Sequence, residues 1–300
     1  KRSSIAKAPS AMPGLVAPTR SPASVAVASS RSRRSTSTAI SPSKAADPFE
    51  AAHVDLLLPP SSPFCSRITI LSSVPSTQDH LRSSLPTPPA VLAAEIQTAG
   101  RGRPGNPWHS HTPLGLWVSL LLEIPSAQLP LLSLLASLAA ADAVRALTQL
   151  EPTLKWPNDL LLKNRKLAGV LVETISRPHQ PPLALLGLGL NLHQQTADFP
   201  APLQKSAISL WQASRQRVPR GQMLAAFLEN LTRRLDQPAP EAMEDWRQSC
   251  LQLGRTLSVR VGTTLLSGTA ESLDDAGHLH LRLPNGSLKK IASGETDFPA

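Results

Sequence analysis

The residues best suited to chemistry lie between Gln97 and Trp108, in the run QTAGRGRPGNPW. Arg101 and Arg103 alternate here with glycines, and an arginine offers a permanent charge and a fork of N–H donors that fits carboxylate or phosphate oxygens. Glycine lets the backbone approach a ligand closely. The run therefore predicts a loop that closes over an anion, and the alternative interpretation is an ordinary basic surface turn.

Three further runs carry groups that could bind a polar ligand. The run KWPNDLLLKNRKLAGVLVE extends from Lys155 to Glu173, and GLGLNLH begins at Gly187. The second run lacks the third glycine and the directly following helix of a dinucleotide-binding fingerprint, so it does not indicate one. Upstream, Ser-Thr-Gln at 76–78 offers hydroxyl and amide groups that both donate and accept hydrogen bonds.

Taken in order, these runs resemble the catalytic domain of biotin–protein ligases, also called biotin–[acetyl-CoA-carboxylase] ligases, in the form that lacks the N-terminal DNA-binding domain. The shared features are a Ser-Thr pair, a GRGRxG loop ending in Trp, KWPND, a KLAG strand and a G-x-G-x-N strand, and the resemblance extends from about Ile68 to the C-terminus. It implies ATP-dependent activation of biotin to biotinyl-5′-AMP, with Mg²⁺. Transfer to a lysine of a biotin carboxyl carrier domain, in acetyl-CoA carboxylase or a similar enzyme, would follow.

The resemblance also implies roles for individual residues. The catalytic residues would be Lys166, Arg101 and Arg103. The biotin-binding residues would be Ser76, Thr77, Gln78, Gln97, Arg101, Gly102, Arg103, Lys166, Gly187 and Gly189. The ATP-binding residues would be Trp108, Lys155, Asn158 and Asn191. No side chain is assigned to the metal, although Asp159 is a candidate.

Simpler interpretations compete with these roles. Biotin and ATP are both anions, so a cation such as Lys166 between them would lower the barrier to their reaction. Lys166 could instead be a solvated hairpin residue, and Trp108 a core residue. Ser76 and Thr77 could simply cap the next helix, and Pro-Asn-Asp at 157–159 is ordinary turn chemistry.

The chain departs from the common bacterial pattern of the family at three positions. Gln78 stands where Asn often follows Ser-Thr, and Pro104 and Asn106 stand where arginines are common. The two loop changes lower the loop's positive charge by two, so its hold on the adenylate would depend more on backbone amides. Arg101 and Arg103 are unaffected, and we expect activity to be retained.

Hydrophobic patterning predicts the elements that position these residues. Strands are expected at 67–71, 91–95, 114–122, 153–156, 160–162, 166–173 and 183–192, and helices at 126–150, 208–213, 221–235 and 241–251. After Gly254 short strands follow, with Asn285-Gly286 as a hairpin signal. We predict an α+β fold: a mixed-sheet biotin/lipoate-ligase-like catalytic domain at 47–253 and a small SH3-like β-barrel at 254–300.

The charge is concentrated in the first residues of the chain. The net charge is +9, yet residues 1–46 hold eight basic and no acidic residues, which leaves 22 basic against 21 acidic residues downstream. The near-neutral remainder argues against nucleic-acid binding. We predict that residues 1–46 form a disordered basic tail; a transit peptide and an over-extended gene start are alternatives. We expect a cytoplasmic protein, or a plastid or mitochondrial one if the tail is a transit peptide.

Other classes of protein fit the sequence less well. The apolar run 124–141 contains Pro125 and Pro130, so we predict a buried helix and no membrane span. The two cysteines have no metal-ligand spacing and favour a reduced compartment. A lipoate or octanoyl ligase of the same superfamily is the runner-up function. A biotin-responsive repressor is disfavoured because no helix-turn-helix is predicted, and a homodimer is one option for the oligomeric state.

Overall fold

The computed structural model describes residue 47, residues 49–103 and residues 106–298. The tail predicted at residues 1–46 lies outside the described residues, as do Pro104 and Gly105 of the loop between Gln97 and Trp108, which we call the arginine loop. The described part of the chain is built on two β-sheets, flanked by helices.

The larger sheet has seven strands and is mixed. Its strands are β1 Ile68–Val74, β2 Ala90–Gln97, β3 Gly115–Glu123, β4 Thr153–Lys155, β5 Asp159–Leu162, β6 Arg165–Arg177 and β7 Gln180–Asn191. They lie in the order β1-β2-β3-β7-β6-β5-β4, with β1 and β2 parallel and every other neighbouring pair antiparallel. The predicted mixed sheet is confirmed.

The helices bury their apolar residues against this sheet. They are α1 Ala51–Leu57, α2 Thr77–Ser84, α3 Leu132–Thr148, α4 Leu210–Ser214, α5 Arg220–Asp236 and α6 Ala239–Ser249. The patterning at 221–235 and 241–251 located α5 and α6 within two residues, whereas α1 was not predicted.

Helix α3 is shorter than the predicted helix at 126–150. Pro130 lies in a preceding 3₁₀ turn, Leu129–Leu131, and Gln149 ends the helix in the left-handed conformation with φ 58°. Among the described helices, Leu129–Thr148 is the one long and apolar enough to cross a membrane, and 72 % of its apolar stretch is buried by the rest of the protein. That burial is typical of a core helix.

The β5–β6 hairpin turns where the sequence predicted it. Lys163 and Asn164 have φ angles of 52° and 59°, and two successive positive φ angles are the mark of the tight turn that joins twisted antiparallel strands. Arg165, expected in the turn, already belongs to β6.

The smaller sheet is entirely antiparallel and is the predicted SH3-like domain. Its strands are β8 Thr256–Val261, β9 Thr264–Leu273, β10 Leu279–Arg282, β11 Leu288–Ile291 and β12 Glu295–Asp297, in the order β11-β10-β9-β8-β12. The Asn285-Gly286 turn joins β10 to β11, with a φ of 84° at Gly286.

A ring of buried hydrogen bonds ties β12 to the turn after β4. The backbone N–H of Trp156 donates to Gln252 Oε1 (2.5 Å), Gln252 Nε2 donates to Thr296 Oγ1 (2.7 Å), and Thr296 Oγ1 donates to the Trp156 carbonyl (3.0 Å). All three residues are buried, and each of these groups has a partner, so the ring costs little in desolvation. It brings the end of the second domain to one rim of a large cavity.

Candidate active site

That cavity has a volume of about 780 Å³ and lies between the start of α2, the arginine loop, strands β6 and β7, and β12. Every site residue named from the sequence lines it. They are Ser76, Thr77, Gln78, Gln97, Arg101, Gly102, Arg103, Trp108, Lys155, Asn158, Asp159, Lys166, Gly187, Gly189 and Asn191.

A network of uncharged polar groups forms one wall of the cavity. Thr77 Oγ1 donates to Gln97 Oε1 (3.0 Å) and lies 2.7 Å from Ser119 Oγ, and Gln97 Nε2 donates to Ser110 Oγ at 3.1 Å. Ser76 caps α2, its Oγ accepting from the backbone N–H of Asp79 at 3.3 Å. The capping interpretation of Ser76 is therefore correct, and it is compatible with a place in the cavity wall.

Two glycines on β7 let side chains lie flat against the strand. A Cβ on Gly189 would stand 2.5 Å from Nε1 of Trp108, and one on Gly187 would overlap Oε1 of Gln78. Neither position can carry a side chain without displacing its neighbour. The glycines of GLGLNL thus serve close packing over the strand rather than a phosphate turn.

A β-bulge turns Lys166 toward the cavity. In the pairing of β5 with β6, Leu160 faces Ala168 and Leu161 faces Lys166, so Leu167 has no partner and is buried in the core instead. The extra residue reverses the alternation of faces, and Lys166 shares the cavity face with Gly169. In a regular strand, positions 166 and 169 would belong to opposite faces of the sheet.

Lys166 is paired inside the cavity. Its Nζ lies 2.7 Å from Asp159 Oδ1, and 5.5 Å from the centre of the Trp108 ring. Asp159 Oδ1 is buried. Its contact with Lys166 Nζ has the distance of an ion pair but not the geometry of a hydrogen bond, and no other group among the described residues forms a hydrogen bond with this oxygen. Lys166 lies directly after the hairpin turn and its side chain is 39 % exposed, but its ammonium also lies against a carboxylate and an aromatic ring, so its catalytic role stays a prediction.

Arg101 faces two carboxylates. Its guanidinium bonds Asp79 and, through Nη2, Glu173 Oε1 at 2.8 Å. Burial opposes ionisation of Glu173, but hydrogen bonds from Arg101, Gln78 and Arg82 outweigh it and lower the pKa of this carboxyl. Arg101 lines the cavity with its charge compensated, so its predicted contact with the reacting groups stays a prediction.

Two other described residues of the arginine loop donate hydrogen bonds to the second domain. Arg103 Nη1 donates to the carbonyl of Gly294 at 2.7 Å, and Asn106 Nδ2 donates to Glu295 Oε1 at 3.1 Å. Asn106, one of the departures from the family pattern, therefore provides an uncharged donor for a carboxylate on β12.

The amides assigned to the nucleotide are partly committed to the protein itself. Asn158 Nδ2 donates to the carbonyl of Val170 (2.6 Å), and Asn191 Nδ2 donates to that of Ile208 (3.1 Å). Both side chains are buried, so these bonds brace the backbone. Asn191 Oδ1 also accepts a hydrogen bond from Gln194 Nε2 at 3.4 Å, and the contacts of both residues with ATP stay predictions.

Comparison with known proteins decides the family. Residues 70–191 match the biotin/lipoate A/B protein ligase family, and residues 253–298 match the biotin protein ligase C-terminal domain. The bifunctional ligase/repressor BirA of Bacillus spizizenii is 31 % identical over 235 residues, which cover 76 % of this chain and 72 % of that protein. The chain belongs to the biotin/lipoate A/B protein ligase family.

Other members support the same placement. The biotin–[acetyl-CoA-carboxylase] ligase of Mycobacterium tuberculosis is 34 % identical, over 68 % of this chain and 77 % of that protein. The Aquifex aeolicus biotin protein ligase, solved in complex with biotin and ATP, superposes with a TM-score of 0.67 at 28 % identity, covering 77 % of this chain and 97 % of that one.

Some residues that line the cavity were not predicted from the sequence. The unpredicted lining residues include Ser119 and, from the second domain, Arg255, Glu295, Asp297 and Phe298. Among the described lining residues five side chains are basic and three acidic, a net of +2. The acidic Glu295 and Asp297 had no local signal, because a residue of one domain that faces a cavity in the other is visible only once both are folded.

Proposed function

We propose that this chain is a biotin–protein ligase, which makes biotinyl-5′-AMP from biotin and ATP and then transfers biotin to a carrier-domain lysine. One observation carries the proposal: residues from separate motifs line a single cavity that has an uncharged polar wall and, beyond it, the cation Lys166. Biotin has two ends that match these two parts of the cavity: its ureido ring is neutral and polar, and its carboxylate is an anion.

The polar wall suits the ureido ring. Thr77, Gln97 and Ser119 hold one another in fixed positions through hydrogen bonds, so they would meet the ring without further ordering. The side-chain-free backbone at Gly187 lets the Gln78 amide oxygen lie against the strand beside them. A lipoyl or octanoyl chain has no N–H or C=O head group, so it would give these groups no hydrogen bond beyond those that they make with one another.

The charged end suits the reacting groups. In the first step a biotin carboxylate oxygen attacks the α-phosphorus of ATP, a P–O bond forms, and the bond to the leaving pyrophosphate breaks. Lys166 would neutralise the two anions as they meet. In the second step the neutral amine of the carrier lysine attacks the acyl carbon, the amide forms, AMP leaves, and the amine loses a proton.

Mg²⁺ would reach this site with the nucleotide. The metal prefers oxygen ligands, and in such sites phosphates and water supply most of them. No group of three or more His, Cys, Asp or Glu side chains in the described part of the chain is arranged to hold a metal. Asp159 is a candidate ligand for the metal, and because Lys166 Nζ already lies 2.7 Å from its Oδ1, the residues fit a metal held mainly by the nucleotide.

The acceptor that we propose is the carrier domain of acetyl-CoA carboxylase or a similar biotin-dependent carboxylase. The name of the Mycobacterium tuberculosis relative supports this choice. We also propose that the ligase is not a repressor, because residues 47–300 carry a net charge of only +1.

The decisive experiment supplies purified protein with biotin, MgATP and a carrier domain. We expect biotin-dependent exchange of pyrophosphate into ATP and biotinylation of the carrier lysine. Lipoate and octanoate are offered in parallel reactions. Transfer of either acid, with no exchange and no transfer for biotin, would replace this proposal by a lipoyl or octanoyl ligase. A sequence-specific gel shift with an operator from the same genome would overturn the exclusion of a repressor.

A further inference from the structure

Glu173 is a residue that neither the motifs nor the reaction chemistry assigned to the site, yet three side chains of the site region donate to it. Gln78 Nε2 donates to its Oε2 at 2.7 Å, Arg101 Nη2 to its Oε1 at 2.8 Å, and Arg82 Nη2 lies 3.0 Å from Oε2. Its side chain is 25 % exposed. Such a concentration of donors fixes the carboxylate in place.

The carboxylate also fixes which way the Gln78 amide points. An ionised carboxylate only accepts hydrogen bonds, so the amide must turn its NH₂ group toward Glu173 and its oxygen away. That oxygen, Oε1, lies over the bare backbone of Gly187 at the cavity wall. No described residue donates to it, and Gln78 itself is only 3 % exposed. Gln78 thus presents one oriented acceptor to whatever occupies the cavity.

Gln78 has the length that this arrangement needs. The family pattern often has Asn at this position, and an Asn side chain is shorter by one carbon–carbon bond, about 1.5 Å. At that length the amide could not reach both Glu173 and the space over Gly187 from the same backbone position. The departure from the common pattern is therefore matched by a partner on β6.

We propose that Glu173 is a positioning residue for substrate selection, which holds the Gln78 oxygen ready for an N–H donor of the substrate head group. The proposal rests on the proposed function and adds the basis of its selectivity: a cyclic urea satisfies the acceptor, and an aliphatic acyl chain does not. Through Arg101 the same carboxylate also bonds the arginine loop, so head-group recognition and loop position share one anchor.

The test compares Glu173→Gln with Gln78→Ala and with the double variant. The new amide at 173 can offer either its oxygen or its NH₂ to Gln78, so the orientation of Gln78 is released. We expect the Kd for biotin, measured by titration without ATP, to rise about tenfold, as for one lost hydrogen bond in a buried site. The KM for ATP should stay within about threefold. Because Glu173 acts through Gln78, adding Glu173→Gln to Gln78→Ala should raise the biotin Kd little further.

Glu123→Gln is the matched control. Glu123 also pairs with an arginine on the larger sheet, Arg177 at 2.9 Å, but it does not line the cavity. Its substitution should leave the biotin Kd and the ATP KM unchanged. Equal effects of the two substitutions, or full additivity of Glu173→Gln with Gln78→Ala, would overturn the proposal.

The proposal can still be tested if Glu173→Gln does not fold or if the protein is not a ligase. If Glu173→Gln does not fold, Glu173→Asp keeps the charge but draws the carboxylate back by about 1.5 Å, and an unchanged biotin Kd in that variant refutes the proposal. Because the titration needs no catalysis, a protein that binds biotin without forming the adenylate would refute the ligase function while still testing Glu173. A protein that binds no biotin would refute both.

Discussion

Replacing Lys166 by Ala removes the cation that the cavity places against Asp159. The Nζ–Oδ1 distance is 2.7 Å, and only 17 % of the Asp159 side chain is exposed. The substitution would leave a buried carboxylate without its partner, in a site that must accept two more anions. The local charge would change from balanced to negative, which opposes the approach of the biotin carboxylate to the α-phosphate.

The size of the effect follows from charge and distance. A unit charge about 4 Å from a reacting anion is worth about 4 kcal/mol at an effective dielectric constant of about 20. That energy corresponds to about a thousandfold in rate. Because 39 % of the Lys166 side chain is exposed, solvent screens part of the interaction. We therefore expect kcat/KM for adenylate formation to fall by about a hundredfold.

The assay is biotin-dependent pyrophosphate exchange, with melting curves to verify the fold. Lys166→Arg keeps the charge and should retain much of the exchange activity. Lys205→Ala removes an exposed lysine that does not line the cavity and should have no effect. If folded Lys166→Ala exchanges pyrophosphate at a rate within about threefold of the unaltered enzyme, the loss of transition-state stabilisation is at most about 0.7 kcal/mol. That result would refute the reasoning.

Three other substitutions test separate parts of the site. Arg103→Gly removes the bond from the loop to the Gly294 carbonyl (2.7 Å), so we expect adenylate to escape and label nearby lysines; equal amounts of free adenylate in both proteins would contradict this. Gly189→Ala places a Cβ 2.5 Å from Nε1 of Trp108, so the indole must move, and the KM for ATP should rise by about five- to 150-fold, as for about 1–3 kcal/mol of overpacking. An unchanged KM for ATP would show that Trp108 does not contact the nucleotide. The third substitution is His193→Gln. Burial lowers the pKa of His193, whose Nε2 lies 2.8 Å from the Val218 carbonyl oxygen. As the pH falls through about 6.5, the unfolded chain therefore takes up a proton on this ring while the folded protein keeps the ring neutral. Between about pH 7.5 and 5.5 the free energy of unfolding should fall further for the unaltered protein than for His193→Gln, by up to about 1.4 kcal/mol, because the lower end of this range lies about one pH unit below the unfolded-state pKa. An equal fall in the two proteins would refute this.

The parts of the fold that the sequence predicted are those with a local cause. Asn164 and Gly286 belong to residue types that adopt positive φ angles readily, and both have positive φ in the turns that the sequence predicted. Helix α3 was predicted too long, because apolar content continued past the points at which Pro130 and the left-handed Gln149 end the helix. Local signals located these elements well and their ends less well.

The site was predictable as a set of residues but not as a set of contacts. The hydroxyl, amide and cationic side chains could be named because the chemistry requires their types. The bulge at Leu167 could not, since it depends on how β5 pairs with β6. The bonds from the arginine loop to Gly294 and Glu295 span almost two hundred residues of sequence, and only the packing of the second domain against the first creates them.

Two cationic side chains of the site are paired with carboxylates, which affects the net charge that a bound ligand meets. Lys166 and Arg101 each face carboxylates, so neither has to be desolvated alone, which would be costly in a partly buried cavity. The lining residues then carry a net of only +2, less than the combined negative charge of biotin and ATP. Mg²⁺ would bring further positive charge on arrival with the nucleotide, and once pyrophosphate leaves, the adenylate keeps a single negative charge. A modest fixed charge therefore suits the intermediate, which the enzyme has to retain, better than the substrates, which it has only to admit.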